Sequence, residues 1–284
     1  MTRPMRTTLN LYVVAVANER ETKRWNDDGW VAAWPDRERL TEALTPFVLT
    51  AAAARSGMRV CDIGCGGGLL TIALARAVAP GGRAVGLDVS APLLELAGGR
   101  ARQAGAENVE FVVMDVQTGR LGQEPFDLAV SQLGVMFFDE PLVAFGAIRG
   151  LLRAGGRLVF ACWQGVERNP WHLATSLRGL IPPPPVPPPG KSPVGPFALG
   201  DDEYVRDVLG GAGFADAESN SYEFTIRAPA SAVVNASLLE FMGVVPERLE
   251  EAETLVECHL ERFVVGPDEY AFPLAFRVYE AVNA

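Results

Sequence analysis

The chain's own pattern predicts a doubly wound, mostly parallel α/β sheet. Between residues 57 and 163, short runs nearly continuous in apolar residues alternate with amphipathic stretches. That βαβα rhythm is expected when helices cover both faces of every strand. The first such run leads into Gly64-Cys65-Gly66-Gly67-Gly68 and then into a helical pattern. Bare backbone and a helix N-terminus are thereby placed at the carboxyl edge of a strand, where open α/β sheets bind ligands. Two later runs, near 219–227 and 271–279, bring the expected sheet to seven strands.

Residues 1–56 form an N-terminal segment with helical character. Arg3 and Arg6 precede an apolar run over 9–17 that faintly imitates a leader ending in Ala-x-Ala. The run is short and contains Asn10, so it reads as a strand or helix packed on the domain, and as a candidate assembly element for a homo-oligomer. The α/β core spans 57–163, with strands expected over 59–63, 83–88, 109–115, 126–131 and 157–163. A helix over 69–79 stops at Pro80-Gly81-Gly82, and one over 91–103 starts after Ser90, a good N-cap. A third follows Asp139-Glu140-Pro141, buries Leu142, Phe145, Ile148 and Leu152, and ends at Gly155-Gly156. Residues 164–200 carry a proline tract that cannot join a sheet, which reads as an insertion shaping a lid. Residues 201–284 complete the core with a helix near 201–209, a strand near 219–227, helices within 229–262 and the last apolar run.

Composition excludes several classes. Among 284 residues, 25 basic side chains face 35 acidic ones, a net charge of −10 that argues against a nucleic-acid partner. Four cysteines are too scattered for a disulfide framework or a metal site, so no metal and a reducing, cytoplasmic setting are expected. No window approaches the roughly 20 apolar residues of a membrane span. The acids Glu247, Glu250, Glu251, Glu253 and Glu257 read as a solvated helix face.

The glycine turn discriminates among nucleotide-type ligands. A phosphate-cradling Walker loop needs Lys followed by Ser or Thr where Leu69-Leu70 stands. The dinucleotide fingerprint needs a glycine at Leu69, which weakens an NAD reading. What remains is Gly-x-Gly-x-Gly preceded by Asp62. Asp62-Ile63-Gly64-Cys65-Gly66-Gly67-Gly68 resembles motif I of the class I S-adenosylmethionine (SAM) dependent methyltransferases. Gly86-Leu87-Asp88-Val89-Ser90, Met114-Asp115-Val116, 126–131 and 151–158 resemble the family's later motifs, in order.

The resemblance implies a Rossmann-like methyltransferase fold and a site for SAM, with S-adenosylhomocysteine as product. Asp88 would accept the two ribose hydroxyls, Asp115 the adenine amino hydrogen, and the Val116 amide would donate to the ring. Asp62 would fix the turn or receive the cofactor ammonium through water, while Gly64 and Gly66 let the cofactor approach the backbone. Cys65, Val89 and Ser131 complete the expected cofactor contacts. Trp25-Asn26, Gly29-Trp30, Gly134 to Phe138 and Asn169-Pro170-Trp171 are similar to the ubiquinone/menaquinone-type branch. By that likeness Trp30 flanks the methionine end, while the segment after the fifth strand covers the acceptor. Phe137 and Trp171 are candidate acceptor contacts, and His172 is the candidate catalytic base, weighed against simple packing.

The expected function is methyl transfer to a small, apolar or aromatic metabolite by in-line displacement. The alternatives are a cyclisation or decarboxylation at the same cofactor site, or a non-catalytic or NAD-binding protein of this architecture.

Overall fold

The computed structural model describes residues 9–10, 18–122, 124–183, 194–233 and 235–284. The chain begins with β1 (Leu9–Asn10), followed by α1 (Glu19–Trp25), α2 (Asp28–Ala32), α3 (Trp34–Thr41) and α4 (Thr45–Ala52). The core continues through β2 (Arg59–Ile63), α5 (Leu69–Ala77), β3 (Arg83–Asp88), α6 (Ala91–Gln103), β4 (Val109–Val113), β5 (Phe126–Gln132), α7 (Pro141–Leu151) and β6 (Leu152–Trp163). Then come α8 (Asp202–Gly211), β7 (Phe214–Pro229), α9 (Ala230–Val233), α10 (Ala236–Phe241), α11 (Leu249–Leu260), β8 (Val264–Gly266) and β9 (Glu269–Asn283).

One sheet runs β1-β4-β3-β2-β5-β6-β9-β7, with β8 attached to β9. Strands β1 to β6 pair in parallel, while β9 is antiparallel to both β6 and β7. The seven expected strands are therefore joined by two short ones, β1 and β8. Residues 11–17 of the N-terminal apolar run and 184–193 of the proline tract lie outside the described residues.

Local chemistry explains the elements. Val60, Cys61, Asp62 and Ile63 are all buried, because β2 is central and flanked by β3 and β5. Helix α6 starts where the Ser90 hydroxyl accepts from the Leu93 amide, and α7 starts with Pro141, whose missing N–H would have been an orphan anyway. One expectation is corrected: α7 ends at Leu151, before Gly155-Gly156. Leu152 turns extended (φ −91°, ψ 142°) and pairs with Phe126, so the glycines fall inside the irregular start of β6. Likewise β7 is longer than the apolar pattern suggested. Its outer face is alternately exposed because it is an edge strand held by β9 alone.

Leu74, Val85, Leu94, Phe111, Val130, Phe145, Phe160 and Tyr279 are essentially sealed between the layers. Each such side chain contributes roughly 1.5 to 3 kcal/mol relative to exposure. On α11, Ala252, Val256 and Leu260 face inward and the acidic residues outward, as the charge pattern predicted. Among the described residues, no helix is long and apolar enough to cross a membrane, and no group of three His, Cys, Asp or Glu side chains is placed to hold a metal.

Candidate active site

Parallel topology brings the carboxyl ends of β2, β3, β4, β5 and β6 to one edge. The antiparallel turn of the last strands adds the start of β9 and the end of β7 to that same edge, since Ile226 pairs with Phe272. A cavity of about 1480 Å³ runs along it. This exceeds the roughly 300 to 1,000 Å³ of a single small-molecule pocket, so there is room for two ligands side by side.

One end of the cavity is acidic. Asp62, 2% exposed, accepts from the Thr71 hydroxyl at 2.7 Å. Burial pushes its carboxyl up to about 7; the Thr71 hydrogen bond opposes this and the Asp88 charge adds to it. Asp88 ends β3, and its two oxygens accept from the Gly66 and Ser90 amides, each at 2.8 Å. Burial raises its pKa too, against those backbone hydrogen bonds. Each oxygen keeps a second lone pair. Asp115, just past β4, accepts from the Gln117 backbone amide at 2.9 Å, and the Gln117 side chain adds a longer bond. Burial, reinforced by Asp88 and Asp62, raises the Cys65 thiol well above its ordinary range, so it stays protonated and packs rather than reacts.

Helices α1 to α3 close over this end. The Asn18 side chain donates to the Phe137 carbonyl, Asn26 to the Val89 carbonyl, and the Ser90 hydroxyl to the Trp25 carbonyl. Trp25 meets Trp30 and Phe137 edge-on at 5.0 and 4.9 Å. The Arg37 guanidinium lies 3.8 Å over the Trp30 ring, and Arg24 sits 5.3 Å from it. Burial lowers both guanidinium pKa values, that of Arg37 to about 10. Both remain cations at neutral pH and line the cavity. Sequence reasoning missed these two arginines. The signal available was their position among the tryptophans, read only as part of a leading segment.

Of the expected cofactor contacts, Trp30, Asp62, Gly64, Cys65, Asp88, Val89, Asp115 and Val116 line the cavity together. Gly66 and Ser131 are not among the residues lining it. The Gly66 α-carbon is covered by the Trp34 indole, and its amide is engaged by Asp88. A glycine is needed there because any β-carbon would run into that ring. Ser131 is fully buried and donates to the Ile63 carbonyl at 2.7 Å, tying β5 to β2 beneath the turn.

The other end is apolar. Trp163, Trp171, Leu173, Ile226, Leu238, Phe272 and Leu274 line it, with Phe137 between the two ends. His172 also lines it, and burial lowers its pKa. Its Nδ1 is buried with no hydrogen-bond partner among the described residues, and its ring packs edge-on against Phe197 at 4.8 Å and Trp171 at 5.9 Å.

This edge, with acids at or beside the ends of successive parallel strands and a cavity along it, defines an open α/β domain with a candidate site at the carboxyl edge of its sheet. Residues 54–177 match the model of a family described as a methyltransferase domain, bearing out the resemblance read from the motifs. An aklanonic acid methyltransferase of Streptomyces sp. (strain C5) is 32% identical over 105 residues, 37% of this chain and 48% of that protein. A demethylmenaquinone methyltransferase of Staphylococcus aureus (strain JH9) is 34% identical over 105 residues, 37% of this chain and 43% of that protein. The matched segment thus spans less than half the length of these relatives. The crystal structure of the YcgJ protein from Bacillus subtilis superposes with a TM-score of 0.60 at 16% identity, covering 85% of this chain and 98% of that one, and shares the fold.

Proposed function

We propose that the protein is a SAM-dependent methyltransferase acting on a small, apolar or aromatic acceptor. The observation that carries this is the chemical polarity of one continuous cavity: Asp62, Asp88 and Asp115 with the Arg24 and Arg37 guanidiniums at one end, an apolar wall at the other. SAM, when bound, supplies a methyl group on a sulfonium that leaves as a neutral thioether.

Its functional groups suit the residues present. Asp88 has free lone pairs for a ribose diol, and Asp115 and the Val116 amide suit an adenine edge. Asp62 would hold the ammonium through water, and Arg24 and Arg37 suit the carboxylate. The Trp34 indole N–H, buried without a partner among the described residues, is a further donor at this end. Trp30 flanks the same moiety, and Cys65 and Val89 contribute contacts beside the turn. Displacement at the methyl then needs alignment and exclusion of water, which α1 to α3 and the aromatic wall around Phe137 and Trp171 provide. In this reading 1–56 is a cap, 57–163 the cofactor core, 164–200 a lid over the acceptor, and 201–284 the rest of the sheet with the acceptor wall.

S-Adenosylhomocysteine should raise the melting temperature where NAD does not, because a ligand that binds only the folded state stabilises it. Extracts incubated with the protein and methyl-labelled SAM should yield a labelled small molecule. No stabilisation by S-adenosylhomocysteine would refute the reading.

A further inference from the structure

The glycine turn carries one glycine that its own backbone does not require. Gly64, Gly66 and Gly68 have positive φ, the region that favours glycine, whereas Gly67 lies outside it. Gly67 is a matter of space. A β-carbon there would meet the Arg100 guanidinium, the Trp34 indole nitrogen at 2.7 Å and a Glu38 carboxylate oxygen at 2.9 Å. Side chains of α3 and α6 thus converge on a single backbone unit of the turn.

Arg100 joins them. Its Nη1 donates to Glu38 Oε2 at 2.6 Å and to the Gly67 carbonyl at 2.9 Å. The two side chains are only 23% and 11% exposed, so water screens this pair less than one on the open surface. Hydrogen bonds between ionised groups are also the strong kind. A separate cleft of about 580 Å³ between α3, α5 and α6 reaches the pair from outside. Glu38 borders both that cleft and the cofactor cavity, whereas Arg100 borders the cleft and is not among the residues lining the cavity. Arg100 therefore grips the back of the turn. Helix α3 also carries Arg37, whose guanidinium lies over the Trp30 ring inside the cavity. Pinning Glu38 fixes where its neighbour Arg37 reaches.

We propose that Arg100 is a positioning residue for the cofactor: by clamping Glu38 to the back of the glycine turn, it holds α3 so that Arg37 stands ready at the amino-acid end of the site. The proposal rests on the SAM reading and concerns a residue that never touches the ligand. With the clamp in place, Arg37 is ordered before a carboxylate arrives. Without it, the ordering of α3 falls to the binding step and lowers affinity. The adenosine end is served by Asp88, Asp115 and the Val116 amide, which belong to β3 and the segment after β4, so it should be insensitive to the clamp.

The test is isothermal titration with S-adenosylhomocysteine and with 5′-methylthioadenosine, which lacks the amino-acid portion. Arg100→Met, which keeps an apolar stem and removes the donors, should weaken S-adenosylhomocysteine about fivefold or more and leave methylthioadenosine within about twofold. Arg100→Lys, which keeps the charge but not the planar fork, should recover part of the loss. Gly67→Ala should reproduce the selective loss with both partners intact, because its β-carbon displaces the flexible ends of Arg100 and Glu38. That variant also carries the test if Arg100→Met fails to fold. Unchanged S-adenosylhomocysteine affinity would overturn the proposal. So would equal losses for both ligands, the mark of a merely structural role, or a wild type that does not bind methylthioadenosine. A wild type indifferent to S-adenosylhomocysteine would refute the methyl-donor reading itself, whereas binding that the variants match would refute the clamp alone.

Discussion

At one end of the sheet edge β2, β3 and β4 place Asp62, Asp88 and Asp115 at or beside their carboxyl ends; at the other, β6, β7 and β9 contribute Trp163, Ile226 and Phe272. The same topological device, strands ending together, is furnished with carboxylates in one half and hydrocarbon in the other. The acidic half is laid over backbone: Asp88 grips the Gly66 and Ser90 amides, and Asp115 the Gln117 amide. Those acids are already oriented before any ligand arrives, as suits a ligand of fixed polar pattern. The apolar half offers mainly shape, so it discriminates by fit. Changes in one half should therefore leave the other half's readout intact.

Gly64→Val should produce the largest effect. Gly64 has φ of +68°, and a β-carbon there would lie 2.8 Å from the Gly134 α-carbon, a backbone atom that cannot swing aside. Strain of about 1 to 3 kcal/mol from the backbone conformation adds to that clash. The variant should lose more than a hundredfold in affinity for S-adenosylhomocysteine and unfold at lower urea, both measurable by titration. Unchanged affinity would mean the cofactor does not approach this turn.

Asp62 provides a pH test of the acidic half. Its carboxyl titrates near 7 when folded and near the ordinary value of about 3.9 when unfolded. A raised folded pKa makes the folded state the better proton binder between those values. Asp62's contribution to stability is thus most favourable below about pH 4 and is lost as pH rises through 7, a difference of a few kcal/mol. Asp62→Asn should be more stabilising, or less destabilising, at pH 8 than at pH 5 in the ligand-free protein. Equal differences at both pH values, by urea melts, would contradict the raised pKa.

Asp88→Ala should weaken S-adenosylhomocysteine binding by about tenfold or more, since hydrogen bonds to a charged acceptor are worth roughly 1.5 to 3 kcal/mol. Some of the loss would come from releasing the Gly66 amide. Isothermal titration of wild type and variant decides it, and a change under about twofold would reduce Asp88 to a support for the turn.

The halves also differ in how far they were legible in the sequence. The predicted strands at 59–63 and 83–88 and the helix at 91–103 match the structure residue for residue, because two-sided burial writes continuous apolar runs and Ser90 marks a start. Asp62, Asp88 and Asp115 were readable because each sits within a few residues of a strand end, so chain position alone fixes location. Trp34 over Gly66, the arginines on the Trp30 ring and the burial of Ser131 were not. They depend on contacts between segments far apart in the chain, which no local period encodes. His172 was readable as a residue of the segment after the fifth strand, but its packing against Trp171 and Phe197 was not.

The smallest expected effect probes the apolar half. Ile226 is half-buried near the end of β7, paired with Phe272 across the ladder, and lines the apolar end of the cavity. Truncation to Ala removes methylene and methyl groups from a wall that is already partly open, so the stability cost should stay near 1 kcal/mol, well below that of a sealed core site. Backbone pairing of β7 with β9 is untouched, and none of the acids at the other end contacts this strand. S-Adenosylhomocysteine affinity should accordingly stay within about twofold of wild type. Affinity for an apolar acceptor should fall several-fold, or shift toward bulkier compounds that fill the space left behind. A comparable loss in both affinities, measured by titration on the same preparation, would show that the two halves form one coupled site and that their separation by chemistry has no energetic counterpart.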